Sequence, residues 1–231
     1  GVPTPYDGGP KAGGLTFHLT NIVVRNCNFQ GNRGGQGGAI YYGGRGHPLL
    51  ENCVITENHA DQDGGGIFLV NSPGLGGVAA DAPVIRGCTI AGNTTDGQGG
   101  GVFAWDIVFH LEDSIVAGNS AVLSGGGVFV AGYGIRFDPL TGAEILRCTI
   151  ADNAAPGGAG LRLAVALPDI DPERPANVRL VSSIVYCNRG SAPVLMTPAC
   201  LLTAGCCDLA GNGGGNLWPA ANMITRFAWK R

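Results

Sequence analysis

Apolar residues in this chain recur in short clusters, each set against one small thiol or hydroxyl residue. That anchor is Cys27, Cys53, Cys88, Ser114, Cys148, Ser183 and Cys207, at spacings of 26, 35, 26, 34, 35 and 24 residues. Two positions after each anchor stands an apolar residue, Phe29, Ile55, Ile90, Val116, Ile150, Val185 and Leu209. Anchor and apolar residue alternate as one face of a short strand does. Three positions before the anchor a second apolar set, Val24, Leu50, Ile85, Leu111, Ile145 and Leu180, fills six of the seven registers. The odd spacing between the sets breaks strict alternation, so the intervening residues must turn a corner. Asn26, Asn52, Gly87 and Asp113 stand there, and these residue types tolerate left-handed backbone. Five positions after the anchor the residue is always asparagine: Asn32, Asn58, Asn93, Asn119, Asn153, Asn188 and Asn212.

A third element is a glycine block. It reads Gly37-Gly38-Ala39-Ile40, Gly64-Gly65-Gly66-Ile67, Gly99-Gly100-Gly101-Val102, Gly125-Gly126-Gly127-Val128 and Gly157-Gly158-Ala159-Gly160-Leu161. Glycine within a strand costs roughly 0.5–1 kcal/mol relative to alanine, so its repetition calls for a wall where stacked backbones approach closely or take positive φ. The blocks lack the lysine and following helix of a phosphate-binding loop. No stretch shows a sustained helical period with caps, so little or no helix is expected. Each rung reads as strand, corner, strand, asparagine turn, strand, and such short strands must pair in parallel with the rungs before and after. The predicted fold is all-β: a right-handed single-stranded parallel β-helix of about seven rungs, roughly 34 Å tall at about 4.8 Å per rung. It spans residues 15–218, with 1–14 as a linker or N-terminal extension and 219–231 as a C-terminal tail or cap.

The block Gly37-Gly38-Ala39-Ile40 with the turn Phe29-Gln30-Gly31-Asn32 resembles the polymorphic outer-membrane-protein type of repeat, whose hallmarks are Gly-Gly-Ala-Ile and Phe-x-x-Asn. The chain is also similar to right-handed parallel β-helix proteins of bacterial surfaces and secretions, a superfamily that includes pectate lyases, polygalacturonases and alginate epimerases. The run Cys206-Cys207-Asp208-Leu209-Ala210-Gly211-Asn212-Gly213-Gly214-Gly215-Asn216 is similar to the closing rung of such secreted repeat proteins. The matching positions are those of core and turn. They imply the fold and an extracellular or cell-surface setting, and leave the activity open.

Composition agrees with a packed repeat. Glycine accounts for 41 of 231 residues, yet 45% are hydrophobic and 13% charged, which excludes a disordered or collagen-like chain. The formal net charge of −3 is spread thinly with no basic run, so nucleic acid is not an expected partner. No apolar stretch is long enough to span a bilayer as a helix. The start, Gly1-Val2-Pro3-Thr4-Pro5, lacks the parts of a signal peptide and reads as a mid-chain linker, as in a processed or excerpted piece of a secreted protein.

Five of the eight cysteines, Cys27, Cys53, Cys88, Cys148 and Cys207, share the anchor position with serine and read as buried thiols. Cys187, Cys200 and Cys206 fall outside that column near the last rung, where a disulfide would close the C-terminal end. A metal site lacks a paired-ligand spacing. The longer rungs carry insertions after the glycine block, at Leu69–Ala82, Ala131–Ala143 and Ala164–Asn177, which should emerge from one side.

Their chemistry is sparse. Gly132-Tyr133-Gly134-Ile135-Arg136-Phe137-Asp138-Pro139 weakly resembles a Tyr-Gly-Phe-Asp-Pro-His segment of mannuronan epimerases, with the spacing broken and no histidine, and reads as a turn. Asp169, Asp171 and Glu173, and likewise Asp61 with Asp63, suggest calcium, but neither group shows the six to eight oxygens required, and both read as solvated acidic turns. His47 lies in a Gly-Arg-Gly-His-Pro turn, His59 beside the Asn58 turn and His110 before Leu111. Trp105, Trp218 and Trp229 suit sugar stacking, but Trp218 and Trp229 stand where an end-cap is expected. No catalytic, cofactor-binding or metal-ligating residue is therefore assigned, and no cofactor.

The function expected is a non-enzymatic secreted or surface module for adhesion, display or structural assembly. Its partners would be a glycan or surface protein met through the insertions, or further copies stacked end to end. The alternative is a polysaccharide lyase, hydrolase or epimerase, which would show Asp, Arg and His clustered along one wall.

Overall fold

The computed structural model describes residues 11–44, 46–71, 82–132, 142–165, 176–197, 200–212 and 223–225. Among them there is no helix, and every strand pairing is parallel. Each turn of the coil contributes one strand to each successive wall. The first wall stacks seven strands, Leu15–His18, Ile40–Gly43, Ile67–Val70, Val102–Trp105, Val128–Gly132, Leu161–Val165 and Val194–Met196. The second stacks Val23–Arg25, Leu49–Glu51, Val84–Arg86, His110–Glu112, Ala143–Leu146, Asn177–Val181 and Leu201–Gly205, and Met223–Thr225 adds an eighth strand. The third runs from Asn28–Gln30 through Val54–Thr56, Thr89–Ala91, Ile115–Ala117, Thr149–Ala151 and Ile184–Tyr186 to Asp208–Ala210.

A fourth wall differs from the three-strand rung expected from sequence. It holds the two-residue strands Arg33–Gly34, His59–Ala60, Thr94–Thr95 and Ser120–Ala121, continued by single bridges to Ala154 and Arg189. Two residues are too few to show any period, and the glycine block lies after them as the bend into the first wall.

The apolar sets stack in register, Phe29 on Ile55 on Ile90 and Val24 on Leu50 on Ile85, and fill one continuous core. Ala204 supplies the seventh member of the second-wall set, paired with Leu180. The corner before the anchor is left-handed on every rung. Arg147, Ser182 and Cys206 take the conformation there at φ 54°, 50° and 53°, as Asn26, Asn52, Gly87 and Asp113 do.

The anchor column shows why serine replaces cysteine. The Cys88 amide donates to Ser114 Oγ at 3.0 Å, the Cys148 amide to Ser183 Oγ at 3.0 Å, and the Cys53 amide to Cys88 Sγ at 3.5 Å. Sulfur and oxygen accept the same bond from the rung before. Burial pushes the Cys88 and Cys148 thiols up to about 11. Cys27 is exposed and Cys207 half-buried, contrary to the expectation of burial, because they occupy the first and seventh rungs.

The turn asparagines form a ladder. Asn119 is typical: its Oδ1 accepts from the Asn93 amide and Nδ2, both at 2.9 Å, while its Nδ2 donates to Ile90 O at 2.9 Å and Asn153 Oδ1 at 3.0 Å. Asn58, Asn93, Asn153 and Asn188 repeat these bonds and are buried. At the glycine bend, a Cβ on Gly100 would lie 2.4 Å from Gly126 O, so side chains are excluded by the next backbone.

The middle strands of the first wall, from Ile40–Gly43 to Val128–Gly132, are buried on both faces. Behind them Tyr41, Phe68, Phe103 and Phe129 form an outer column of rings stacked 5.0–5.3 Å apart, with Lys11 over the Tyr41 ring.

Candidate functional site

Chemistry-bearing side chains on a solenoid come together by column, one rung above another, more than by neighbourhood along the chain. On the outer face of the second wall Arg25, Glu51, Arg86 and Glu112 share one column, and they alternate in sign. Arg25 Nε lies 2.6 Å from Glu51 and Arg86 Nε 3.0 Å from Glu112. Arg147 continues the series by gripping Asp113 through two bonds of 2.6 and 2.8 Å, which holds the Asp113 carboxyl below the usual carboxylate range. One column over, the Glu144 carboxylate meets both His110 Nδ1 at 3.0 Å and Arg179. Charges that look scattered in sequence are thus paired between rungs, and exposed pairs of this kind contribute about 0.2–1 kcal/mol each.

The fourth wall carries a different group. His59 and Thr94 stand in register on adjacent strands, with Arg33 one rung below His59. Asp61 and Asp96 follow two residues after His59 and Thr94, so the repeat places both carboxylates beside the imidazole. His59 Nε2 is 3.4 Å from Asp61 Oδ1 and 3.6 Å from Asp96 Oδ2, and its Nδ1 is 2.9 Å from Thr94 Oγ1. Arg33 also contacts Asp61 Oδ1. Both aspartates are exposed and the imidazole is partly so, so solvent reaches the group. His59, Asp61 and Asp96 are the one set of three potential metal ligands drawn together among the described residues.

Asp63, which its place in the sequence groups with Asp61, points elsewhere. It is buried at 4% exposure, accepts the Gln98 amide at 2.8 Å, and burial raises its carboxyl to about 6. The two aspartates therefore do not form one site. His47 is exposed, with its amide on Asn21 Oδ1. Trp105 packs edge-on against Phe103 at 6.4 Å, as part of the outer aromatic column.

The disulfide expected among Cys187, Cys200 and Cys206 does not form, and no disulfide joins any cysteine among the described residues. The three stand at different corners of the rung. Cys187 precedes Asn188 in the left-handed asparagine turn, Cys206 occupies the left-handed corner before the anchor, and Cys200 is buried at the start of the second wall.

The three insertions leave the coil at one place. Val70 leads to Val84, Gly132 to Ala143 and Val165 to Asn177, each a passage from the first wall to the second. The rung between the first two makes the same passage from Trp105 to His110 in four residues. The interiors of the insertions, 72–81, 133–141 and 166–175, lie outside the described residues, as do Tyr133–Pro139, Asp169, Asp171, Glu173, Trp218 and Trp229. Among the described residues no helix is long and apolar enough to cross a membrane.

A family model described as a right handed beta helix region matches residues 13–197. No curated protein and no solved structure matches the chain at a significant level.

Proposed function

The chain belongs to the right-handed β-helix family, and from that premise we propose that it is a non-enzymatic, secreted or cell-surface module for adhesion, display or structural assembly. The observation that carries this reading is the common exit of the three insertions at the corner between the first and second walls. A rigid stack whose longer connections all leave from one edge can present them to a single partner, as binding solenoids do. The repeated residues are meanwhile committed to the stack, in the asparagine ladder, the anchor column and the glycine bend. The Gly-Gly-Ala-Ile and Phe-x-x-Asn motifs support a surface setting, by resemblance to outer-membrane-protein repeats. A glycan or surface protein is the partner this edge suits.

The test replaces each insertion with the four-residue connection 106–109 of the intervening rung. The shortened protein should keep its β-sheet circular dichroism and lose binding to cells, glycan arrays and matrix proteins. Undiminished binding by the shortened protein sinks the reading.

A second reading rests on the fourth-wall cluster, since a polysaccharide-active enzyme would gather Asp, Arg and His on one wall. Incubation with anionic polysaccharides tests it: new unsaturated or reducing ends that vanish in Asp96→Asn would favour catalysis over display.

A further inference from the structure

The geometry assigns to His59, Asp61 and Asp96 a surface binding site for one divalent first-row transition ion of zinc-like preference. Spacing is the first indication. The contacts of 3.4 and 3.6 Å from His59 Nε2 to the two carboxylates exceed the 2.7–3.2 Å of a protein N–H···O bond. They match the edge of a coordination tetrahedron, because ligands about 2.0–2.2 Å from an ion lie roughly 3.3–3.6 Å apart. All three ligand atoms fall within 4.8 Å of one another. The imidazole is also oriented for the task. Nδ1 lies 2.9 Å from Thr94 Oγ1, so when an ion takes the Nε2 lone pair the remaining proton on Nδ1 has an acceptor, the outer-shell arrangement of metal-binding histidines.

The electrostatics point the same way. The repeat stacks Asp61 and Asp96 on neighbouring rungs, where like charges oppose each other. Arg33 offsets one of them through Asp61 Oδ1, while the Asp96 carboxylate faces His59. One nitrogen and two carboxylate oxygens suit a borderline ion with its remaining positions filled by water. They do not suit calcium, which takes six to eight oxygens. The site lies on the fourth wall, apart from the corner where the insertions leave the coil.

The experiment titrates the intact protein with Co²⁺ and reads the visible d–d bands. These should saturate at one equivalent, without the thiolate charge-transfer bands that the cysteines would produce. His59→Gln and Asp96→Asn should each weaken binding by at least about tenfold, and Thr94→Val by about tenfold. Arg33→Ala, which removes a competing cation, should tighten it by about two- to fivefold. Thermal unfolding of each variant verifies the fold, which these outward positions leave intact. Absence of a saturable signal, thiolate bands at one equivalent, or full binding by folded His59→Gln overturns the assignment.

Discussion

Each interior turn asparagine bonds polar groups on the rung before and the rung after its own, so its deletion strands more than its own side chain. Asn119→Ala leaves the Asn93 amide, Ile90 O and Asn153 Oδ1 short of partners inside the stack. Buried unpaired groups cost about 1–3 kcal/mol each, so a loss of about 3 kcal/mol or more is expected in urea unfolding. Asn32→Ala, at the half-buried start of the ladder, should cost about 1 kcal/mol. Equal losses at the two positions would mean the ladder is not the source. Asp63 gives a pH signature. Its carboxyl is raised to about 6 by burial, so the folded state holds the proton more tightly than the unfolded one. The stabilisation this lends is complete below about pH 4 and disappears as the pH rises through 6, a change of about 3 kcal/mol. Asp63→Asn should remove that fall and be more stable than the parent above pH 6. Urea midpoints of both proteins from pH 4 to 8 provide the check.

At the scale of the element, the glycine bend sets how closely successive rungs stack. A methyl group on Gly100 would meet Gly126 O at 2.4 Å and Ser120 O at 2.6 Å, both rigid backbone. Gly157, at the same bend, would meet only the flexible end of Leu195 at 3.1 Å and, more distantly, Ser124. Gly100→Ala is therefore expected to cost at least about 2 kcal/mol and Gly157→Ala less than about 1 kcal/mol, measured by thermal or urea unfolding. Why the bend needs glycine was legible in the sequence, because three in a row on successive rungs have few physical explanations. The left-handed corner was legible at Asn26, Asn52, Gly87 and Asp113, but Arg147, Ser182 and Cys206 adopt the same conformation without the residue type that signals it. Position in the repeat, and not propensity, places them there. The fourth wall was hidden because two-residue strands carry no period.

Across the whole molecule, the stack reorders what neighbours what. Asp61 lies two residues from Asp63 in the chain, yet its companion in space is Asp96, at the same offset of eight from its own anchor. Counting by that offset brings Asp61 and Asp96 together with His59 from the sequence alone, whereas proximity in the chain suggests the wrong pair. The same counting aligns Arg25, Glu51, Arg86 and Glu112 as one alternating column. Cys187, Cys200 and Cys206 illustrate the converse: close in sequence, they are spread over three corners of the rung. The core and its stacking were readable since every rung repeats them. The outward chemistry was not, because it repeats only over two or three rungs and depends on which columns align.

The asparagine ladder has one more consequence. Every link runs the same way, from the amide of one rung to the Oδ1 of the next, so the rod has a chemical head and tail. Two copies joined so that this row continues must point in the same direction. Such a joint is a heterologous contact that never closes on itself, and it would generate a filament in place of a two-fold dimer.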